Sequence, residues 1–258
     1  MAIFYYLVLM GPTGMTLQFL THSIPDIIFT LYLLVYFPAD SIWRGLSKTP
    51  PKPKLPNLQS YWRQGRFVLV LLAAFMLVKW SGNHSASQLG LDIPLSPGGT
   101  WGLVIVTVFM AVMHVLGKRA ESKMTPEDRL KQEDKLRELQ ISMPQTRIEI
   151  AAYFVTMVGM TATWELLFRG YLLLVLTPLT GLPLAVALAA ISYGAGHGFK
   201  NFKQFFTSIV VAFAFTIGYA LTGSLWWLMV LHAAVPITMF YTARKLGPSE
   251  QKHFQLSP

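Results

Sequence analysis

Apolar residues along the chain fall into eight long runs, at roughly 2–20, 24–42, 66–81, 100–116, 148–177, 183–198, 204–221 and 225–243, with polar residues gathered between them. Each run suits a helix that satisfies its own backbone in lipid, where no water is present to do so. The expected fold class is therefore all-α, a polytopic integral membrane protein of about eight transmembrane helices. Two of the intervening stretches are long. The first, 44–65, is rich in proline and lysine ("SKTPPKPKLP"), and the second, 117–147, contains "MTPEDRLKQEDKLREL". In the second, Thr125 suits a helix cap, Pro126 the first helical position, and Glu127 and Asp128 the positive end of a helix. That predicts a short surface helix, because its apolar positions are too sparse for a buried one. Residues 1–147 thus read as N-terminal membrane helices with two polar loops, 148–243 as a core and 244–258 as a tail.

Composition strengthens this picture. Of the 258 residues, 53% are hydrophobic and 13% charged, and the mean hydropathy is +0.46. A soluble domain would carry about a quarter charged residues. No cationic segment precedes the first apolar run, so 2–20 reads as a retained span rather than a cleaved signal peptide. The sequence contains no cysteine, which excludes disulfides, thiolate metal sites and cysteine nucleophiles.

The net charge of +9 changes meaning once its bases are placed. With a cytoplasmic N-terminus, loops 44–65 and 117–147, the 198–203 turn and the tail lie inside. Together with Arg66 they hold 19 of the 21 lysines and arginines. The opposite loops, 21–23, 82–99, 178–182 and 222–224, hold none. This asymmetry predicts eight spans with both termini cytoplasmic. The bases face anionic lipid headgroups, so the expected partner is membrane lipid and not nucleic acid.

Besides Lys79 in the third span, three groups stand out inside the membrane: Glu165 and Arg169 in the fifth span ("TATWELLFRGYLL"), His197 in the sixth ("ISYGAGHG") and His232 in the eighth ("WWLMVLHAAVP"). At such depth they are costly and face the protein interior with partners. Glu165 and Arg169, four apart, share a helix face, so a structural ion pair is one sufficient reading. Each histidine alone reads equally well as a core residue bonding a carbonyl. His114 reads as interfacial, His22, His84 and His253 as surface residues, and Trp226 and Trp227 as part of an aromatic belt. The combination is more specific. A glutamate and a histidine around a trapped water form a hydrolytic arrangement, and a second histidine is a donor for a developing oxyanion. The small residues before His197 let helices approach closely. The same groups are also ordinary ligands for a divalent metal such as zinc, although the sequence demands no cofactor.

At these residues the chain resembles the CAAX-processing and bacteriocin-processing membrane proteases (the CPBP or Abi group), whose pattern is E-E-x-x-x-R, then F-x-x-x-H, then H-x-x-x-N or H-x-x-x-D. "ELLFRGYLL" resembles the first motif, "YGAGH" the second with Tyr193 in the phenylalanine position, and "TGSLWWLMVLHAAVP" the third, with Gly223 and Ser224 in the preceding turn. The likeness covers about 148–243. It implies an intramembrane endopeptidase of a bacterial plasma membrane, acting on a peptide or a prenylated protein. It also implies catalytic roles for Glu165 or a water partner as base, His197 as orienter of water and His232 as oxyanion donor, with Arg169 structural. Two positions depart from the pattern: Trp164 stands where the water-activating glutamate is expected, and Pro236 where the amide or carboxylate is.

Three readings follow. The first is a CAAX-type endopeptidase. The second is an inactive family member that binds a membrane partner as a scaffold. The third, a transporter, expects paired repeats and broken helices, which are not found. An indole of Trp164 among Glu165, His197 and His232 favours the scaffold, and a polar cavity with Trp164 turned to lipid favours the enzyme. A shared site requires the two imidazoles within about 10 Å and is excluded beyond about 15 Å. Because His197 lies near one membrane edge and His232 near the other, the sixth span must then be short or tilted, or the chain after Gly196 must run on inside the protein.

Overall fold

A computed structural model of the chain describes residues 24–47, 56–131 and 144–246, which form seven long helices and no strand. In chain order these are α1 (Ile24–Leu46), α2 (Asn57–Ser81), α3 (Pro97–Ser122), α4 (Arg147–Thr180), α5 (Leu182–Gly196), α6 (Phe202–Thr222) and α7 (Trp226–Leu246). They correspond to the second to eighth apolar runs. The first run lies outside the described residues. Helices α1, α2, α3, α4 and α6 are long and apolar enough to cross a membrane, and α5 and α7 are shorter apolar helices. The protein is an all-α polytopic membrane protein.

Large apolar side chains point outward along much of this surface. Val104, Ile105, Val108, Phe109, Val112 and Met113 on α3 are exposed, as are Leu69, Val70, Met76 and Leu77 on α2. In water such a surface would aggregate, whereas lipid tails cover it without cost. His114 is exposed in the same row of α3, consistent with its interfacial reading.

Two boundaries differ from expectation. Helix α2 begins at Asn57, so the end of the predicted 44–65 loop is helical. Helix α3 runs on to Ser122, because neither end of an apolar run marks where a helix must stop in polar surroundings. In the second polar stretch, residues 126–131 are helical as predicted. Asp128 N–H donates to Thr125 Oγ1, and Thr125 N–H and O–H donate to Asp128 Oδ2, which holds the Asp128 carboxyl below its usual range.

Helix α4 is the hub. Its first half packs on α2 and α7, and its second half on α5 and α1. A capping box at Thr146 and Glu149 starts it. At Leu166–Tyr171 it opens into a π-helical turn, with Leu172 N–H bonding Leu167 O, five residues back. The extra residue in such a turn resets the phase between the side chains before it and those after it. Leu167, Phe168, Tyr171 and Leu172 are fully buried there and form the centre of the core. A second π-helical turn, Tyr32–Tyr36, interrupts α1.

Loop 82–96 is not a plain surface loop. Leu89 is fully buried in the main core. Leu225 N–H donates to Gly90 O (2.9 Å), and Trp226 Nε1–H donates to Asp92 O (3.2 Å). A Cβ on Gly170 would meet Leu89 O at 2.9 Å, so the loop rests directly on the π-helical turn of α4. Trp226 and Trp227 therefore do more than line a membrane interface. Trp226 anchors this loop, and Trp227 Nε1–H bonds Thr222 Oγ1 (2.9 Å), tying α7 to the end of α6.

Candidate functional site

Glu165 ends the regular part of α4 and Arg169 sits in its π-helical turn, both with no exposed surface. Arg169 Nε lies 3.5 Å from Glu165 Oε2. Among the described residues, neither that oxygen nor any guanidinium nitrogen has a hydrogen-bond partner. The guanidinium instead lies over the ring of Tyr193, 3.9 Å from its centroid, with Phe215 further away at 5.8 Å. A π face and a carboxylate thus take the place of water around this charge.

The other carboxylate oxygen reaches across to α7: Glu165 Oε1 is 2.7 Å from His232 Nδ1. Because a carboxylate accepts, Nδ1 carries the proton, and in the neutral ring Nε2 is the acceptor. Nε2 lies 3.3 Å from the Tyr193 hydroxyl, which donates to it. Tyr193 is on α5, one helical turn before His197. His197 Nδ1–H donates to the Tyr193 carbonyl at 3.1 Å, which leaves its Nε2 as an acceptor. The four side chains form one run: Arg169 beside Glu165, then His232, then Tyr193, with His197 against the same tyrosine.

The two imidazoles are brought together despite their distant places in the sequence. Their ring centroids are 4.8 and 6.2 Å from that of Tyr193, so their separation is at most the sum, 11.0 Å. Helix α5 achieves this by being short. Its 15 residues span only about 22 Å, less than the hydrocarbon core of about 30 Å, and His197 is its C-cap. Close packing supports it, since a Cβ on Gly194 would meet Ile209 Cα at 2.6 Å, so α6 lies directly against the small-residue face. His197 itself is exposed, whereas Tyr193 is buried and the His232 side chain is 19% exposed, so the site opens on the His197 side.

Trp164 neither fills the space among these groups nor turns to lipid. Half-buried, it packs on Phe37 (4.8 Å between centroids), Phe168 (5.6 Å) and Phe67 (6.3 Å), on the α1 and α2 side of α4. Pro236, one turn after His232 on α7, has no N–H, and its carbonyl accepts from Tyr153 O–H at 3.0 Å in a separate cluster with Tyr61 and Phe240.

Two features escape a reading of the sequence. Tyr193 reads there only as a ring in place of phenylalanine, yet its hydroxyl meets His232. His84 is not a surface residue, as expected of it. Its side chain is only 11% exposed and Nε2 is 2.9 Å from Oδ1 of Asp26, itself buried. Tyr171 O–H reaches the same carboxylate and Thr30 Oγ1, each at 3.1 Å. An acid at the edge of one apolar run, with a histidine in the loop on the same side, is the signal that would have found this pair. His22 and His253 lie outside the described residues.

A metal fits these groups poorly. Among the described residues no three histidine, aspartate or glutamate side chains converge as a metal site. Glu165 is held between an imidazole N–H and a guanidinium, and a cation so close to the carboxylate opposes a dication.

The fold and its centre define a polytopic helical membrane protein with a buried carboxylate–imidazole–phenol cluster. Residues 146–238 match the model of the family described as type II CAAX prenyl endopeptidase Rce1-like. That segment runs from the Thr146 cap of α4 to just past Pro236 and takes in Glu165, Arg169, Tyr193, His197 and His232. The match bears out the resemblance to the CAAX-processing proteases over these residues. Searches of curated proteins and of solved structures return no match.

Proposed function

We propose that this protein is an intramembrane endopeptidase of the CAAX type, cutting peptide bonds next to a membrane-anchored, prenylated cysteine. The observation that carries the proposal is the 2.7 Å contact between Glu165 on α4 and His232 on α7, both within the matched segment. A carboxylate that accepts from Nδ1–H fixes the tautomer of a histidine and stabilises the imidazolium formed when Nε2 takes a proton. Glu165 thus acts through His232 rather than on water directly, and His232 Nε2 is the base. This differs from the assignment implied by the family pattern, and its physical reason is that Oε1 is already engaged by His232. His197, exposed at the mouth with Nε2 free to accept, orients the water or the substrate backbone. Arg169 balances the carboxylate charge.

Both termini are cytoplasmic in this proposal, and the mouth faces the cytoplasm. The base asymmetry supports it, since His197 is followed by Lys200 and Lys203 on the basic side. That is the side on which a prenylated protein tail would approach.

The test is hydrolysis of internally quenched peptides, prenylated and unprenylated, by the purified protein in lipid nanodiscs. The wild type should cleave prenylated peptides, and His232→Ala and Glu165→Gln should lower kcat by about 100-fold to 10,000-fold, the range for loss of a general base. Undiminished cleavage by both variants refutes the mechanism. Tight peptide binding by a wild type that cleaves nothing would favour the scaffold reading instead.

A further inference from the structure

The Tyr193 hydroxyl occupies the one atom that the proposed mechanism needs free. It donates to His232 Nε2 at 3.3 Å, where the proton of the attacking water has to go. Its ring is held on one face and in edge contacts: the Arg169 guanidinium lies 3.9 Å from its centroid, and Phe168, His197 and His232 make T-shaped contacts at 5.2, 4.8 and 6.2 Å. The hydroxyl therefore has little freedom except rotation of its O–H bond. The mechanism also needs a donor for the oxyanion. On the His232 face of α7 the next position is Pro236, which has no N–H and no polar side chain. Glu165 is an acceptor, both histidine Nδ1–H groups are already committed, to Glu165 and to the Tyr193 carbonyl, and the unpartnered Arg169 N–H groups have no exposed surface and lie over the face of the Tyr193 ring.

Resting on the proposed hydrolase reading, we infer that Tyr193 is a further catalytic residue, whose O–H passes from His232 Nε2 to the scissile carbonyl oxygen when substrate binds. This exchange frees the base and supplies the oxyanion donor in one motion. The water oxygen then attacks the carbonyl carbon, and its proton goes to His232 Nε2. The carbonyl π electrons move to the oxygen, which the Tyr193 O–H stabilises by hydrogen bonding without losing its proton. Collapse of the tetrahedral intermediate breaks the C–N bond, and His232 Nε2–H protonates the departing amine. The products are a carboxylic acid and an amine, and His232 returns to its neutral form. An empty site holds its base capped, so the arrangement also limits proton exchange at a buried imidazole in the absence of substrate.

The experiment compares wild type, Tyr193→Phe and His232→Ala in nanodiscs with a farnesylated, internally quenched peptide. Tyr193→Phe keeps the ring and its contact with Arg169. Its kcat should fall by about 100-fold to 1,000-fold, the loss typical of one oxyanion donor, with KM little changed and thermal unfolding as in the wild type. Wild-type kcat in Tyr193→Phe, or a higher one from a base merely uncapped, overturns the inference while leaving the hydrolase reading intact. A wild type that cleaves no peptide overturns both. A fluorinated tyrosine at 193 provides the second readout, because it keeps the packing and makes the O–H more acidic. The pH profile of kcat should then move on its alkaline side, and an unmoved profile overturns the inference independently of any loss of fold.

Discussion

A buried charge is expensive, and Glu165 and Arg169 show how one helix bears two of them. Neither has exposed surface, and the carboxylate is shared between a guanidinium at 3.5 Å and an imidazole at 2.7 Å. Removing only the arginine leaves the acid with less compensation. Arg169→Leu should therefore destabilise the protein by about 3–5 kcal/mol, and the double variant Glu165→Gln, Arg169→Leu by less. Thermal and denaturant unfolding in detergent measure both, and equal losses would show that the two groups are not coupled. The same geometry bears on metals. Because no three ligating groups converge and Arg169 adjoins the carboxylate, peptide cleavage should persist in the presence of a strong zinc chelator, and abolition reversed by added zinc would contradict this arrangement. Much of this was legible in the sequence. Glu165, Arg169, His197 and His232 stand out because ionisable groups are rare in apolar runs. The Tyr193 hydroxyl and the Asp26–His84 pair did not, since a tyrosine or a loop histidine is unremarkable until a partner from another helix is placed beside it.

At the scale of elements, the π-helical turn Leu166–Tyr171 aims α4 in two directions. Arg169 faces Tyr193, while Tyr171 faces Asp26 and Thr30 near loop 82–96. The sequence alone places Glu165 in the wrong one of two adjacent positions, rotated about 100° from where a base is expected on a regular helix. The irregular turn begins just after Glu165 and resets its phase against Arg169 and the residues beyond, and nothing in the composition of "LLFRGY" announces it. A shared site for two histidines near opposite membrane edges asks for a sixth span that is short or tilted, or for chain that runs on inside the protein, and α5 is short. Loop 82–96 is held by small contacts, and Gly170 lies directly beneath it. A Cβ there would meet Leu89 O at 2.9 Å and Leu225 Cδ1 at 3.1 Å, so Gly170→Ala must displace the loop. The expected cost is about 1–3 kcal/mol, as for overpacking elsewhere, read as a lowered Tm with helix content retained. His84→Ala removes the Asp26 contact and should loosen the same loop, giving faster backbone hydrogen exchange at 86–91. A variant with unchanged Tm and exchange would mean that the loop is held elsewhere.

For the whole molecule, sidedness decides what the site meets. The helices run back and forth, so the connections at 82–96 and 223–225 share one side with the 180–182 turn, and those at 47–56, 123–146 and 197–201 share the other. That partition places the base-free loops 82–99, 178–182 and 222–224 together, while 21–23 lies outside the described residues. Nineteen of 21 lysines and arginines fall in the loops read as the opposite side, at its edge or in the tail, and such a bias orients membrane proteins with the basic side in the cytoplasm. His197, the most accessible member of the cluster, lies at the 197–201 end, whereas loop 82–96 seals the other end over Gly170. If the orientation follows the charges, the site opens toward the cytoplasm and is closed to the exterior. Cysteines introduced singly into this cysteine-free chain test it directly. A cysteine at Ser87, in loop 82–96, should react with a membrane-impermeant maleimide in intact cells. One at Ser122, at the end of α3, should react only after permeabilisation. Labelling of both from the same side would break the alternation of the helices, and the reverse pattern would turn the mouth outward and remove a cytoplasmic prenylated protein from consideration as substrate.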